Sequence, residues 1–311
     1  MDSFNLLSTI GAILHSTLVA ATPLLLAALG ATFSQRAGVI NIGLEGLLLG
    51  GAFAGVIGSY WTGSPLIGVL CGASSGLCLS LIFAFLCVKL GANQIVTGVG
   101  VNLFAVGLTG VLYRGLFGVT GQALVVETFS PIVLPGLQNL PFGGYVFFQH
   151  TIIVYIAFLL VPLFHFLLFH TRGGLQLRAV GEHPHAAETL GISVLRIRVS
   201  ALLLEGILAG VAGSYLSLAY SNTFIEGMSA GRGFIALAVV IFGHWSPIGV
   251  LVAALFFGGA TALQFQLQAL GSTLPYQIML MLPYLLTLVA LASAGTKFMT
   301  PAALGQEYRR E

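Results

Sequence analysis

Charged residues are scarce in this sequence, since Asp, Glu, Lys and Arg make up only 6% of its 311 residues. A soluble domain carries roughly 25% charged residues and needs them to build a hydrated surface. With 57% hydrophobic residues and a mean hydropathy of +1.02, most of this chain requires a lipid bilayer as its solvent. The formal net charge of +2 is too small to favour nucleic acid as a partner.

Motifs for catalysis and metal binding are missing as well. The cysteines, Cys71, Cys78 and Cys87, fall in one apolar stretch, and their spacing fits neither a zinc site nor a disulfide framework. Gly72-Ala-Ser-Ser-Gly76 matches the letters of a hydrolase nucleophile elbow, but it lacks the strand-turn-helix context. A P-loop for ATP is also absent. We therefore expect neither an enzyme nor a chain that holds a metal or a cofactor.

Apolar stretches, by contrast, are abundant. A membrane-spanning helix needs roughly 20 apolar residues, so the chain has room for about eight to ten. The predicted spans cover residues 6–29, 39–60, 66–88, 94–113, 145–169, 199–220, 247–267 and 275–291. Residues 234–242 are apolar but too short to cross unless their flanks join in, and residues 114–144 form a predicted external loop. The expected fold class is an all-α polytopic membrane protein.

Basic residues define the predicted topology, because they mark the cytoplasmic side of a membrane. An alternating arrangement with the amino end outside places inside Arg36, Lys89, the four arginines of the segment 171–198 and the tail residues Lys297, Arg309 and Arg310. It leaves Arg114 and Arg232 outside, against the rule. Glu127 and Glu226 lie in the same outer loops, and we expect them to pair with these arginines.

Two similar segments indicate an internal repeat. Ser64-Pro-Leu-Ile-Gly-Val-Leu70 resembles Ser246-Pro-Ile-Gly-Val-Leu251, and the predicted topology puts the first outside and the second inside. This is typical of an inverted repeat, which places a substrate path between the halves near the midplane. The single transmembrane domain, 1–311, then comprises a first helical half (1–169), a cytoplasmic coupling loop (170–198), a second helical half (199–294) and a cytoplasmic tail (295–311).

Polar side chains within the apolar stretches are candidates for lining that path. Glu45 is expected inside the second span, where a carboxylate must be paired, protonated or hydrated. Asn41 lies one turn earlier, on the same predicted helix face. The candidate path residues are Asn41, Glu45, Asn93, Gln94 and Asn102. Two structural alternatives stay open: a bracing role for Glu45, and hydrogen bonds between helices for the amides. Glu205 is expected near Arg198 at the cytoplasmic interface.

The polar coupling loop contains a predicted short helix. Pro184 suits the first helical position, and Gly191 suits the C-terminal stop. Ala186, Ala187 and Leu190 then form a small apolar face, which favours docking into a groove of another protein over a solvated connector. The expected docking residues are Gly181, Glu182, Pro184, Ala186, Ala187, Leu190 and Gly191.

These motifs resemble the membrane permeases of ABC importers for branched-chain amino acids and simple sugars, most of all the nucleoside-uptake branch. The resemblance lies in Gly38-Val-Ile-Asn-Ile-Gly-Leu-Glu-Gly46 with Gly51-Ala-Phe-Ala54, in Arg178-Ala-Val-Gly-Glu-His-Pro-His-Ala-Ala-Glu-Thr-Leu-Gly191, in Gly231-Arg-Gly-Phe-Ile-Ala-Leu-Ala-Val-Val-Ile-Phe-Gly243 with Ser246-Pro-Ile-Gly249, and in Leu282-Pro-Tyr-Leu-Leu-Thr287. It extends over about residues 23 to 306. His183 and His185 depart from the pattern, in which Asn precedes the proline and Lys or Arg follows it.

The resemblance implies a permease subunit that forms the translocation path for a nucleoside-like solute, in the bacterial cytoplasmic membrane. It also implies partners: an ABC ATPase subunit docked on the coupling loop, a second permease of the same or a different chain, and an extracytoplasmic solute-binding protein. One alternative is riboflavin or a simple sugar on the same machine. Another is an ion-coupled secondary transporter, which is disfavoured because Glu45 and Glu205 are expected too near the inner face for a mid-membrane ion site.

Overall fold

The computed structural model describes residues 3–118, 126–133, 143–269 and 300–308, together with positions 277, 281 and 285. Its helices are α1 (Ser3–Arg36), α2 (Leu44–Thr62), α3 (Pro65–Ala84), α4 (Gln94–Phe117), α5 (Gly143–Phe148), α6 (Ile152–His170), α7 (Arg172–Glu182), α8 (Pro184–Thr189), α9 (Val194–Tyr215), α10 (Arg232–Phe242) and α11 (Pro247–Ala269). π-Helical turns extend α3 through Phe85–Lys89 and α9 through Leu216–Tyr220. β1 (Ile132–Val133) pairs antiparallel with β2 (Gln149–His150). The predicted last span is described only at its three single positions, and Lys297, Arg309 and Arg310 lie outside the described residues.

Six of the described helices are long and apolar enough to cross a membrane. Their spanning segments are Thr9–Arg36, Leu44–Thr62, Pro65–Lys89, Gln94–Phe117, Ile152–His170 and Pro247–Ala269. α10 has only 11 residues; at a rise of 1.5 Å per residue it is about 16 Å long, roughly half of the hydrocarbon core. The prediction of an all-α polytopic membrane protein is therefore confirmed, and the short apolar stretch is a half-length helix.

Two predicted spans begin earlier in the sequence than the helices do, for local backbone reasons. α2 begins at Leu44 rather than at residue 39, because Gly38 has a left-handed φ of 88° and residues 37–43 remain non-helical. The fifth span begins at Ile152 rather than at residue 145, because residues 143–150 fold into α5 and β2. In both places the hydrophobic pattern begins several residues before the helix does.

The two sequence halves interlock. α9 packs most extensively on α3 and about equally on α2 and α1, and α1 packs on α11, α9 and α10. A non-helical segment follows each of these long helices, residues 37–43 after α1 and residues 221–231 after α9. The similar sequence segments start α3 at Pro65 and α11 at Pro247. Each long helix thus packs on the pair that follows its counterpart, an arrangement that supports an inverted repeat.

Glycines bring α9 directly against α2 and α3. A Cβ on Gly72 would come within 2.8 Å of the Gly51 carbonyl oxygen, and a Cβ on Gly55 within 2.8 Å of the Ser214 Cβ. A Cβ on Gly210 would collide with the Gly72 carbonyl. Helices in lipid associate through such close van der Waals contact, because no hydrophobic drive acts between them. The three helices therefore form one tightly packed unit.

Basic residues meet at one end of the bundle, as the predicted topology requires. Arg36 Nε donates to the Trp245 carbonyl oxygen at 2.9 Å. Lys89, at the end of the extended α3, lines one groove together with Arg196 from the start of α9. We call this the cytoplasmic end of the molecule, a label that follows the topology predicted from the basic residues.

The opposite end carries a predicted ion pair. Arg114 Nε and Nη2 donate to the two carboxylate oxygens of Glu226 at 2.8 and 2.7 Å. Arg114 therefore pairs with a glutamate as predicted, but with Glu226 of the other loop rather than with Glu127 of its own. The hydrogen bonds from Arg114 lower the pKa of the Glu226 carboxyl. Arg232 instead donates to the carbonyl oxygens of Met228 and Ser229 at 3.0 and 3.3 Å, because it starts α10 and folds back over the preceding segment.

Candidate translocation path and coupling region

Glu45 joins the two halves at the start of two helices. It is the second residue of α2, and its Oε1 and Oε2 accept the backbone N–H groups of Gly231 and Gly233 at 2.7 and 2.6 Å. These N–H groups belong to the N-terminus of α10, which lacks partners within its own helix and carries a partial positive charge. The carboxylate therefore caps α10 from outside, and the bracing role for Glu45 is the one observed.

Glycine is required on the α10 side of this contact. A Cβ on Gly233 would come within 2.5 Å of the Glu45 backbone nitrogen and Cα. Gly231 has a left-handed φ of 81°, a conformation that glycine adopts without strain. The Glu45 cap, defined as the Glu45 carboxylate with the Gly231 and Gly233 N–H groups, thus depends on backbone approach as well as on charge.

The Glu45 cap lies about one helix length from the residues that follow α10. Those residues contact Arg36 at the cytoplasmic end, since Arg36 Nη2 donates to the His244 carbonyl oxygen at 3.3 Å. The N-terminus of α10 lies about 16 Å further along the helix axis. The expectation that Glu45 lies too near the inner face for an ion site stays a prediction.

Asn41 is not on the α2 helix face as predicted, because α2 starts after it. Its side chain is fully buried, and its Oδ1 accepts the Gly43 N–H at 2.9 Å in the turn before α2. Glu205 was also misplaced by the sequence: it is fully buried between α1 and α9, beside Asn41 and Ser34. Among the described residues, the Ser34 and Asn41 side chains lie beside the Glu205 carboxylate, but none of these contacts has the geometry of a hydrogen bond, and the Asn41 Nδ2 has no other partner.

The remaining candidate amides hold backbone in place. Gln94 Oε1 accepts the Ile40 N–H at 2.8 Å. Asn102 Oδ1 accepts the Gly46 N–H at 2.7 Å, and its Nδ2 donates to the Ile42 carbonyl oxygen at 3.0 Å. The alternative of hydrogen bonding between elements is therefore the observed one for both amides.

Asn93 has a different position from the other candidates. It is exposed, and its Oδ1 caps α4 by accepting the N–H groups of Ile95 and Val96 at 3.0 and 3.1 Å. The structure thus brings Glu45 and Asn102 together around the start of α2, while Asn93 stays at the cytoplasmic end of α4.

Residues 221–231, which we call the 221–231 segment, have a structure that sequence reasoning missed. Two non-glycine residues there have left-handed φ values, Asn222 at 54° and Ala230 at 46°, a conformation that is uncommon outside glycine. Phe224 is buried and packs edge-on against Phe53 of α2 at 5.3 Å. The segment is thus fixed to α4 by Glu226, to α2 by the Glu45 cap and to the core by Phe224. Gly227 and Gly231 were its sequence signal.

A large groove between α2, α3 and α4 has a volume of about 690 Å³. Its walls are apolar apart from two hydroxyl side chains, and Phe53, Ile82, Phe104 and Leu108 are among them. Such a surface fits lipid or another apolar helix, because it offers few hydrogen bonds to a polar solute. We therefore exclude it from the candidate path.

The coupling loop folds into α7 and α8 at the cytoplasmic end. Pro184 is the first residue of α8, and Gly191 stops it with a left-handed φ of 81°, so the predicted capped helix is confirmed. The predicted apolar face is only partly right. Ala186 and Leu190 are exposed, Leu190 by 80%, but Ala187 is 3% exposed and packs inward against Val180, Val194 and Tyr308.

Gly181 also faces the interior. A Cβ there would collide with the Arg36 carbonyl oxygen at the end of α1. Of the expected docking residues, the exposed ones are Glu182, Ala186, Leu190 and Gly191, with Pro184 half-buried. Gly181 and Ala187 therefore lie beneath the exposed face of α8 and leave no room for direct contact with a partner.

Residues 300–308, which we call the C-terminal segment, pack under this surface. The Ala303 N–H donates to the Gly181 carbonyl oxygen at 2.9 Å, and the Ala302 N–H to Glu182 Oε2 at 3.2 Å. Sequence reasoning assigned these residues to a plain tail, because nine residues without periodicity carry no signal for long-range contacts. 

The comparisons with known proteins identify the class. The chain belongs to the family of branched-chain amino acid transport system permease components, whose model matches residues 13–291. This is a family of transporter components and not of enzymes. It confirms a multi-pass membrane permease, and with it the resemblance inferred from the motifs.

Individual relatives extend over nearly the whole chain. The guanosine ABC transporter permease NupQ of Bacillus subtilis is 39% identical, covering 99% of this chain and 98% of the relative. The putative glucose ABC transporter permease TsgC13 of Haloferax volcanii is 39% identical, covering 96% and 98%. A second guanosine permease of Bacillus subtilis, NupP, is 28% identical and covers 76% of this chain and 69% of the relative. No solved structure matches the chain.

Proposed function

We propose that this chain is the permease subunit of an ABC importer that carries a nucleoside-like solute inward, with ATP hydrolysed by a partner subunit. The observation that carries the proposal is the 39% identity over 99% of the chain to a guanosine permease. Membership of a family of permease components favours this function over an ion-coupled secondary transporter.

The proposed path runs beside the Glu45 cap. Helix N-termini that meet near the midplane are where transporters with inverted repeats hold their solutes. Glu45 and Asn102 border this region together with the 221–231 segment, and the polar atoms of both side chains form hydrogen bonds with backbone groups. Asn41, Asn93 and Gln94 shape the approach to α2 from the cytoplasmic side. This division of roles rests on their hydrogen bonds to backbone.

The proposed partners follow from the two ends of the molecule. An ABC ATPase subunit docks on the exposed face of α8, with Leu190 at its centre, and a solute-binding protein docks on the outer end. The second permease is a different chain, since Bacillus subtilis has two guanosine permeases of which one is 39% and the other 28% identical to this chain. The assembly lies in the bacterial cytoplasmic membrane.

A simple sugar is the second candidate solute. It is favoured by the equal identity, 39%, to a putative glucose permease. A nucleoside contains a sugar ring, so the two solutes share hydroxyl groups and differ in the aromatic base.

Reconstitution tests both points. The purified complex of this chain, the second permease, the ATPase and the binding protein is placed in proteoliposomes with labelled guanosine or glucose. We expect guanosine uptake that requires ATP and survives collapse of ion gradients. Uptake driven by an ion gradient without the ATPase would overturn the importer assignment, and ATP-dependent uptake of glucose alone would replace the solute.

A further inference from the structure

The C-terminal segment connects the docking helix with the entrance to α2. On the docking side, the Tyr308 hydroxyl donates to the Glu188 carboxylate of α8. The Tyr308 ring also lies 5.2 Å from the His185 ring and packs against Ala187. Tyr308 is only 8% exposed, so the C-terminal segment is anchored to α8 by a buried ring and a charge-assisted hydrogen bond.

On the membrane side, the C-terminal segment binds residues 37–43. The Gly305 N–H donates to the Gly38 carbonyl oxygen at 3.1 Å. Arg198, 3% exposed, bridges the two segments: Nη1 donates to the Gln306 carbonyl oxygen at 3.1 Å and Nε to the Ala37 carbonyl oxygen at 3.2 Å. Its guanidinium also lies 5.8 Å from the centre of the Tyr308 ring.

Residues 37–43 lead directly to the Glu45 cap. They are non-helical and joined to α4 through the Ile40–Gln94 and Ile42–Asn102 hydrogen bonds. The α2, α3 and α9 unit around them has glycine contacts without room for a side chain. A displacement of this segment at the cytoplasmic end is therefore transmitted to the Glu45 cap, because the close-packed helices around the segment leave it no room to yield.

We propose that the C-terminal segment is a mechanical relay, in which Tyr308 and Arg198 are positioning residues that transmit movement of α8 through residues 37–43 to the Glu45 cap. The relay rests on the proposed docking of an ATPase at α8. It assigns a role in coupling to a part of the chain that touches neither the ATP nor the solute. It also accounts for the position of Arg198, a buried arginine that donates to the Ala37 and Gln306 carbonyls of two different segments.

The test uses Tyr308→Phe in the complete reconstituted complex. This variant removes the hydroxyl and keeps the buried ring. We expect the ATPase to co-purify at the wild-type ratio and ATP hydrolysis to persist, while solute transported per ATP falls roughly tenfold, as loss of a hydrogen bond to a charged group predicts. Glu188→Gln weakens the same bond from the other side. The double variant should be no worse than the more severe single variant, because both act on one contact.

Tyr155→Phe is the matched control. Its hydroxyl donates to the Phe147 carbonyl oxygen at 3.2 Å, away from the coupling region, and its coupling ratio should equal that of the wild type. Wild-type coupling in Tyr308→Phe would overturn the relay. Loss of the ATPase from that complex would also overturn it, since the segment would then only shape the docking surface. A wild-type complex without ATP-dependent uptake would instead overturn the proposed function, and the relay with it.

Discussion

Glu45 and Gly233 connect the first turns of α2 and α10 across the two sequence halves. Glu45 Oε2 accepts the Gly233 N–H at 2.6 Å, and the absence of a side chain on Gly233 lets the Glu45 backbone approach. A carboxylate at a helix N-terminus is stabilised by the unpaired N–H groups and by the helix dipole. One side chain thereby fixes the relative position of two helices that both start within the bundle.

Substitution of this carboxylate should loosen α10. In Glu45→Gln only one side-chain oxygen remains to accept, and the amide group faces an N–H donor. We expect the free energy of unfolding to fall by about 1–3 kcal/mol and uptake by the reconstituted complex to decrease. The melting temperature in detergent and the rate of guanosine uptake measure the two effects.

Glu127→Gln is the control for Glu45→Gln. The Glu127 side chain is exposed, and its contact to Ser59 uses the main-chain carbonyl, which the substitution keeps. Its stability and uptake should match the wild type. If Glu45→Gln behaves in the same way as this control, the cap contributes nothing to the fold or to transport.

The helices were largely predictable from the sequence, but their starting points were not. Hydrophobic stretches locate α1, α3, α4 and α11 because lipid demands continuous apolar length. They fail at α2, where apolar residues before Leu44 lie in a non-helical segment in which Gln94 accepts the Ile40 N–H and Asn102 donates to the Ile42 carbonyl oxygen. A hydrophobicity pattern records burial, and buried non-helical backbone has the same pattern as helix when distant amides provide its hydrogen bonds.

The site was predictable in its residue types and not in its partners. An intramembrane carboxylate identified Glu45, but its partners are backbone N–H groups 186 and 188 residues away. Backbone donors leave no mark in a sequence. The contacts of Tyr308 and Arg198 were missed for a related reason. Arg198 donates to main-chain carbonyls of two distant segments, and Tyr308 contacts Glu188 from a tail that lacks periodicity.

The glycine contacts of α9 predict a strong difference between two similar substitutions. Gly210→Ala would force a Cβ into the Gly72 carbonyl, and within the described residues Gly107→Ala would meet nothing within 4 Å. We expect Gly210→Ala to lower stability by about 1–3 kcal/mol. Gly107→Ala should be neutral or stabilising by about 0.5–1 kcal/mol, because alanine loses less backbone freedom in a helix. Equal melting temperatures would contradict the tight packing of α9.

His150 predicts a loss of stability in acid. Its ring is 3% exposed and stacks on His15 at 4.4 Å. Burial lowers its pKa from the ordinary value of 6.5, opposed by the Val146 carbonyl and aided by the charge of His15. In the unfolded chain His150 therefore binds a proton near pH 6.5, whereas in the folded chain it does so only at lower pH. The free energy of unfolding falls as the pH drops below 6.5.

The measurement compares melting temperatures between pH 7.5 and pH 5.5. His150→Gln should show a smaller decrease than the wild type, because it removes the group that titrates. His170→Gln changes an exposed histidine at the other end and should keep the wild-type decrease. If both variants retain the full acid sensitivity, another group is responsible.

The Arg114–Glu226 pair predicts that an ion pair holds the 221–231 segment in place at the outer end. Both side chains are partly exposed, by 62% and 40%, so the pair is screened by salt. Arg114→Glu places two carboxylates together and should release the segment, which lowers uptake and raises ATP hydrolysis in the absence of solute.

The swap of Arg114→Glu with Glu226→Arg restores opposite charges and should recover most of the uptake. High salt should weaken the wild type and leave the like-charged single variant less affected. A swapped complex as defective as the sum of its single variants would show that the side chains act independently, and that the ion pair does not hold the segment.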